Sequence, residues 1–285
     1  MTAALYLARY ERRFALFDSG RSRAAWIPES HNLPLFTHGI PGREVLRRQR
    51  EHAELCGASI VDAEVLEASK DPTGFSLRLR QRNGRVDELK ARFILFATGV
   101  EDIPPRMPGI EDAVYQGLIR YCPICDGYEA KGKRIGVIGF GNKGLGEAVF
   151  IARTYSRTVT LLSLHEPLIL SDEDREKLKR HGICFLAKPV KALCLDGGNV
   201  RAISAGGPSY KFDVMYSALG VRYRSGLATA LGAKASETGA LEVGEHSETA
   251  VPGLYAAGDV TKGLNQIVVG MGQAARAATD IHNRL

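Results

Sequence analysis

The chain has 285 residues, 45% hydrophobic and 25% charged, with a net charge of +6 at pH 7, the balance of a soluble globular protein with room for two domains. No uninterrupted apolar run approaches the roughly 20 residues of a membrane span, the first nine residues lack the basic opening of a signal peptide, and five cysteines are too few for a disulfide framework. The chain therefore reads as cytoplasmic, with no membrane partner. The positive charge does not read as a nucleic-acid signal either: Arg43, Arg47, Arg48 and Arg50 fall among Glu44, Glu51 and Glu54 at helical spacing, the pattern of a solvated face, with a patch for an acidic protein as the alternative.

Residues 2 to 10 predict a helix, and Phe14-Ala15-Leu16-Phe17 a strand ending on Asp18. In a dinucleotide-binding unit, a strand and a glycine-rich turn precede such a helix, and an acid about 20 residues past the glycines binds a ribose hydroxyl. The acid is present and the glycines are not; the last of them would fall just before Met1, so the chain is expected to start inside a longer protein. An irregular stretch from 19 to 42 holds Trp26 and Asn32. A polar helix follows over 44 to 56, then a meander of short strands over 59 to 67, 74 to 80 and 85 to 90. Phe93-Ile94-Leu95-Phe96-Ala97-Thr98-Gly99 is a run of buried-strand length whose small final residues let a ligand approach the backbone. Pro104, Pro105, Pro108 and Gly109 punctuate the chain and place a domain boundary near 112.

Next comes Cys122-Pro123-Ile124-Cys125-Asp126-Gly127. Two residues separate the thiols, so one turn brings the sulfurs within bonding reach, and Asp126 can move the proton that thiol–disulfide exchange requires. Half of a zinc site is the competing reading, but Cys56, Cys184 and Cys194 form no second close pair and no paired histidine motif occurs, so no metal is expected. A strand over 133 to 138 then leads into Gly139-Phe140-Gly141-Asn142-Lys143-Gly144 and a helix to 155, the setting of a nucleotide-binding turn. After the next strand, over 158 to 162, Ser163-Leu164-His165 stands where an acid would hold an NADH ribose or arginines an NADPH phosphate, which leaves the choice of nicotinamide open. Residues 171 to 181 predict a capped helix and 212 to 220 another buried strand. The chain ends through Ala256-Ala257-Gly258-Asp259-Val260 and Asn265-Gln266-Ile267 into a helix over 270 to 285.

This order of motifs resembles the low-molecular-weight thioredoxin reductases and their two-domain flavoprotein relatives. The likeness is carried by Cys122 to Gly127, Ala97-Thr98-Gly99, Gly139 through Gly144, and Ala257 to Val260 with Gln266, and spans nearly the whole chain. It implies an α/β fold of two doubly wound, three-layer nucleotide-binding domains: an FAD domain at 1–112 and 245–285, and an NAD(P)-type domain at 113–244 carrying the cysteines. By the same resemblance Asp18, Asn32, Thr98, Gly99, Gly258, Asp259, Gln266 and Ile267 bind or neighbour FAD, and Gly139, Gly141 and Gly144 hold NAD(P)H. Cys125 faces the flavin, Cys122 attacks the partner's disulfide, and Asp126 is the acid–base residue. The resemblance further implies a homodimer whose partner is a thioredoxin-like protein or a small-molecule disulfide. A ferredoxin-linked reductase, a small-dithiol oxidase and a noncatalytic truncated remnant are the alternatives.

Overall fold

In the computed structural model, which describes residues 1–205 and 207–285, the chain divides into two compact units. One comprises Met1–Ala25, Gly42–Glu101 and Arg222–Leu285, the other Trp26–Pro41 and Asp102–Val221. These seams fall elsewhere than the expected 112/113 and 244/245. A cut at 112 would divide the helix Ile110–Tyr115, whose Ala113 and Val114 are buried in the second unit's core. Ala228, Ala233 and Leu241, expected in the second domain, are instead buried in the first unit's core. The prolines and glycine at 104 to 109 thus punctuate a loop inside one unit, not a seam.

In the first unit the strands Ile94–Phe96 and Leu254–Ala256 pair in parallel, Leu254 opposite Ile94. Alternate side chains point to opposite faces of a strand. Ile94, Phe96, Leu254 and Ala256 therefore meet Phe75 and Leu77 of an antiparallel meander, while Leu95 and Tyr255 meet Leu7, Ala277 and Ile281 of the terminal helices Thr2–Arg9 and Ile267–Asn283. The meander runs Ile60–Asp71, Gly74–Gln81 and Val86–Ala91, with Leu16–Asp18 alongside its first strand in parallel. Burial of both strand faces is why 93 to 97 reads as one apolar run rather than an alternation.

The second unit repeats this plan. Its parallel sheet has the order Cys184–Phe185, Val159–Leu162, Ile135–Ile138, Val214–Ser217, Ile119–Arg120. Ile135, Val137, Val159, Leu161, Val214 and Tyr216 face Leu145, Ala148 and Leu178 of the helices Gly141–Thr154 and Asp172–Arg180. Ile138, Leu162 and Met215 face Leu193, Ala202 and Phe212 of a three-stranded antiparallel sheet. Full burial of side chains this size contributes roughly 1.5–3 kcal/mol each. Both units are thus α/β with helix, parallel-strand and antiparallel-strand layers.

One expected strand is two. Residues 212 to 220 split into Ser209–Phe212 in the antiparallel sheet and Val214–Ser217 in the parallel one. Asp213 sits at the switch, where its carboxylate accepts from the Arg134 backbone N–H at 2.8 Å and from the Arg134 guanidinium at 2.6 Å. The arginine-rich helix Gly42–Leu55 carries Glu44 between Arg47 and Arg48, both at 2.7 Å, and these guanidiniums hold the Glu44 carboxyl down at about 2. Among the described residues, no helix is long and apolar enough to cross a membrane.

Candidate active site

Cys122 and Cys125 form a disulfide, with sulfurs 2.03 Å apart. The local sequence builds it. Cys122 is extended at the N-cap and Pro123 occupies the first helical position, where its fixed φ suits a helix and its missing N–H costs nothing. One turn, Pro123–Asp126, then brings the Cys125 N–H to the Cys122 carbonyl at 2.9 Å. Gly127 comes next for want of space rather than for backbone freedom. Its φ is an ordinary −70°, but a Cβ there would lie 2.2 Å from the Tyr155 ring and 2.4 Å from the Pro123 carbonyl oxygen.

Asp126 is held from two strands of the parallel sheet. The Tyr216 hydroxyl donates to its Oδ1 at 2.9 Å, and Arg120 places Nη1 at 3.7 Å from the same oxygen while donating to the Asp126 backbone carbonyl at 2.5 Å. Burial pushes the Asp126 carboxyl up, and the Arg120 charge and the Tyr216 hydrogen bond pull it partly back. Burial beside Asp126 also raises the Tyr216 hydroxyl, which therefore stays a donor at every working pH. A carboxyl displaced toward neutrality and set next to a disulfide in the chain is better suited to passing a proton than an ordinary carboxylate. Arg120 and Tyr216 were not found from sequence. Tyr216 lies in a strand that reads as core, where a hydroxyl aimed into the site leaves no mark on an apolar run, and Arg120 lies in a two-residue strand that carries no motif.

Asn32 lies beside the same turn: its side-chain amide donates to the Ile124 carbonyl at 3.5 Å and its Oδ1 accepts from the Ser30 hydroxyl at 3.2 Å. In the same unit, Ile135–Ile138, Gly139 and the helix from Gly141 form the expected strand–turn–helix. Gly141 has φ +56°, and Gly139 and Gly144 pack backbone to backbone, so that a Cβ on Gly144 would lie 2.7 Å from the Gly139 carbonyl carbon. This approach sets the helix N-terminus against the strand end, a geometry that suits a nucleotide phosphate. Beyond the next strand, Ser163 is buried and its hydroxyl donates to the Glu166 carbonyl at 2.5 Å, while His165 is exposed with φ +65°.

In the first unit, Thr98 and Gly99 come after one parallel strand and Gly258 and Asp259 after the other, joined by Ala257 N–H donating to the Phe96 carbonyl at 2.9 Å. They lie at the carboxyl ends of adjacent strands, where open α/β sheets bind ligands. Space above Gly99 and Gly258 is clear: both have positive φ, and an added Cβ would meet nothing within 4 Å. Gly270 of the last helix comes close beneath, its Cβ position 3.2 Å from Gly258 Cα, and Gln273 of that helix accepts from the Gly258 N–H at 2.7 Å. Gln266 caps that helix and Ile267 begins it. Asp259 pairs with Arg23 at 2.9 Å, and Thr98 donates to the Arg224 carbonyl at 2.6 Å. Asp18 accepts from the Gly20 N–H at 2.9 Å and from Arg50 at 3.0 Å. The clear glycine backbone with an acid beside it fits a flavin nucleotide. Gln273, a helix residue without a motif around it, was missed from sequence.

Among the described residues no group of three His, Cys, Asp or Glu side chains is placed to hold a metal. The chain is 29% identical to thioredoxin reductase of Bacillus subtilis (strain 168), covering 99% of this chain and 90% of that protein. It is 27% identical to thioredoxin reductase of Debaryomyces hansenii, covering 98% and 92%. The crystal structure of a putative thioredoxin reductase from Bacillus anthracis superposes with a TM-score of 0.86 at 20% identity, covering 99% of this chain and 94% of that one, a likeness of fold. The sequence pattern of the pyridine nucleotide-disulphide oxidoreductases matches residues 1–274, and the chain belongs to that family.

Proposed function

We propose that this oxidoreductase is an FAD-dependent thiol–disulfide reductase of the thioredoxin reductase type. Electrons would run from a nicotinamide through the flavin to the Cys122–Cys125 pair, and from there to a thioredoxin-like protein or a small disulfide. The observation that carries the reading is a disulfide on a single turn with Asp126 fixed next to it by Tyr216 and Arg120. Bound FAD supplies a two-electron relay between hydride donor and disulfide. Thr98, Gly99, Gly258, Asp259, Gln266 and Ile267 are the residues that would hold it in the first unit, with Asp18 on a ribose and Asn32 at the flavin. Gly139, Gly141 and Gly144 would hold the pyridine nucleotide. The first unit would then be the FAD domain and the second the NAD(P)-type domain, in a homodimer.

The exchange itself needs only this chain's residues. From the reduced pair, the Cys122 thiolate attacks one sulfur of the substrate disulfide, and that S–S bond breaks to release one thiolate, which is protonated. Cys125 then gives its proton to Asp126 and attacks the Cys122 sulfur. The Cys122–Cys125 bond re-forms, and the second substrate sulfur leaves as a thiolate that takes the proton from Asp126. One substrate disulfide becomes two thiols while two protein thiols become a disulfide.

Steady-state turnover of FAD-loaded protein tests the reading, with NADPH and NADH each tried against thioredoxin and a chromogenic disulfide. Turnover with either donor is expected; none with both would sink it. A second reading, a small-dithiol oxidase, draws on Ser163-Leu164-His165, which supply neither a carboxylate nor a guanidinium at the place of a ribose ligand. Oxygen uptake driven by a small dithiol without nicotinamide is the outcome that selects it.

A further inference from the structure

The carboxyl end of the first unit's parallel strands is tied down by arginines that belong to none of its motifs. Residues 19–25 lead on from Asp18 and are anchored at both glycine ends. At one, the Arg224 backbone N–H donates to the Gly99 carbonyl at 3.0 Å, its guanidinium donates to the Arg21 carbonyl at 2.8 Å, and its own carbonyl accepts from the Thr98 hydroxyl at 2.6 Å. At the other, Arg23 Nη1 lies 2.9 Å from Asp259 Oδ2, with the two side chains only 22% and 24% exposed. The turn carrying Asp259 is itself held from beneath: Gln273 Oε1 accepts from the Gly258 N–H at 2.7 Å, and the Thr261 hydroxyl donates to the Gly258 carbonyl at 2.8 Å. Arg23 is therefore the mobile member of the pair. The acids around the site are each matched by a guanidinium, Asp18 by Arg50 at 3.0 Å, Glu64 by Arg21 at 2.6 Å and Asp259 by Arg23.

We propose, on the FAD reading of the first unit, that Arg23 recognises the diphosphate bridge of the flavin dinucleotide, turning on Asp259 to do so, and that it makes the site select FAD over a flavin without phosphates. Donors and acceptors sort the partners. A carboxylate only accepts, so the hydroxyl donors of a ribityl chain suit Asp259. A guanidinium only donates, and its fork matches a pair of phosphate oxygens, so the diphosphate suits Arg23. Paired with each other, the two side chains hold one another's charge; with the dinucleotide bound, each keeps a partner, and neither charge is stranded in a partly buried site. An unmatched acid at position 259 would instead repel an incoming diphosphate. The sequence offers no hint of this, since a single arginine in an irregular stretch is ordinarily a solvated residue.

The test uses the full chain freed of flavin and reads binding rather than turnover. FAD is titrated calorimetrically at low and at high salt into the unaltered chain and into Arg23→Gln. At low salt the Gln protein should bind FAD roughly 10- to 100-fold more weakly, the share of a charged hydrogen-bond donor. The gap should narrow at high salt, where screening has already weakened the contact in the unaltered chain. A loss equal at both salts is what a merely structural arginine gives, and it overturns the proposal, as does undiminished affinity. Arg23→Lys, which keeps the charge without the fork, should recover part of the affinity and of its salt dependence. Should Arg23→Gln fail to fold, the unaltered chain decides: phenylglyoxal labelling of Arg23, read by peptide mass spectrometry, should be suppressed by FAD and not by riboflavin. Labelling indifferent to FAD, or suppressed equally by both, overturns the proposal. FAD that binds but ignores Arg23 sinks the proposal alone, whereas a chain that takes up no FAD at either salt sinks the FAD reading with it.

Discussion

At the residue scale the two sulfurs are distinguished by their neighbours, since Asp126 is bonded in sequence to Cys125 and not to Cys122. If Cys122 is the attacking thiol, Cys125→Ser should trap a mixed disulfide with substrate because the resolving thiol is gone, and Cys122→Ser should trap none. Mass spectrometry of the covalent adduct checks this, and trapping through Cys125 would reverse the roles. Tyr216 makes a separate prediction. Its hydroxyl stabilises the charged form of Asp126 across 2.9 Å, so Tyr216→Phe should raise the carboxyl further. A hydrogen bond to a charged group is worth about 1.5–3 kcal/mol, and one pH unit corresponds to about 1.4. If Asp126 is the acid–base residue, the corresponding limb of the pH profile of exchange should therefore move toward alkaline pH. Asp126→Asn should slow exchange by roughly 10²- to 10⁴-fold without loss of fold.

At the element scale the decisive contact is glycine against glycine. A methyl on Gly144 would sit 2.7 Å from backbone of Gly139, and backbone cannot rotate aside as a side chain can. Gly144→Ala should push the helix Gly141–Thr154 off its strand at a cost of about 1–3 kcal/mol and weaken pyridine nucleotide binding. Chemical denaturation and nucleotide titration measure the two effects, whereas Gly146→Ala, two residues on, meets nothing within 4 Å and should be neutral or better. Much of this scale was legible beforehand. The helix at Asp172–Arg180 has the expected Ser171 cap, with Ser171 and Asp174 bonding reciprocally, because a capping box is local chemistry. The cysteine turn and both strand–glycine ends were legible for the same reason. Asp213 was not, because the change of sheet there depends on Arg134, far away in sequence, and a run of apolar residues is blind to which sheet each half joins.

At the scale of the whole molecule, the motifs foretold two α/β units, but their seams follow packing rather than punctuation. The helix Ile110–Tyr115 belongs to the second core although prolines precede it, and residues 222 to 241 supply Ala228, Ala233 and Leu241 to the first. Proline and glycine mark where the chain turns; only burial decides to which core a segment belongs. Global stability should also register a buried carboxyl, that of Glu147 in the helix Gly141–Thr154. Glu147 titrates near 4.5 when unfolded and about 7 when folded, so the native state holds the proton more tightly. That contribution is complete below about pH 4.5 and is lost as pH rises through about 7. Relative to Glu147→Gln, the unaltered protein should lose on the order of 3 kcal/mol between those limits. Denaturant midpoints of the two proteins at pH 4.5, 6 and 8 measure the difference.

The disulfide spends two of the five cysteines and leaves Cys56, Cys184 and Cys194 as thiols, with Cys184 exposed. Oxidation state is therefore written in the mass of the intact chain. After denaturing alkylation, the oxidised protein carries three tags and the reduced protein five. A population of molecules caught in mid-cycle resolves into two peaks whether or not cofactor or substrate is present, and Cys184, the most accessible of the three, is the site at which an undirected electrophile would first be recorded.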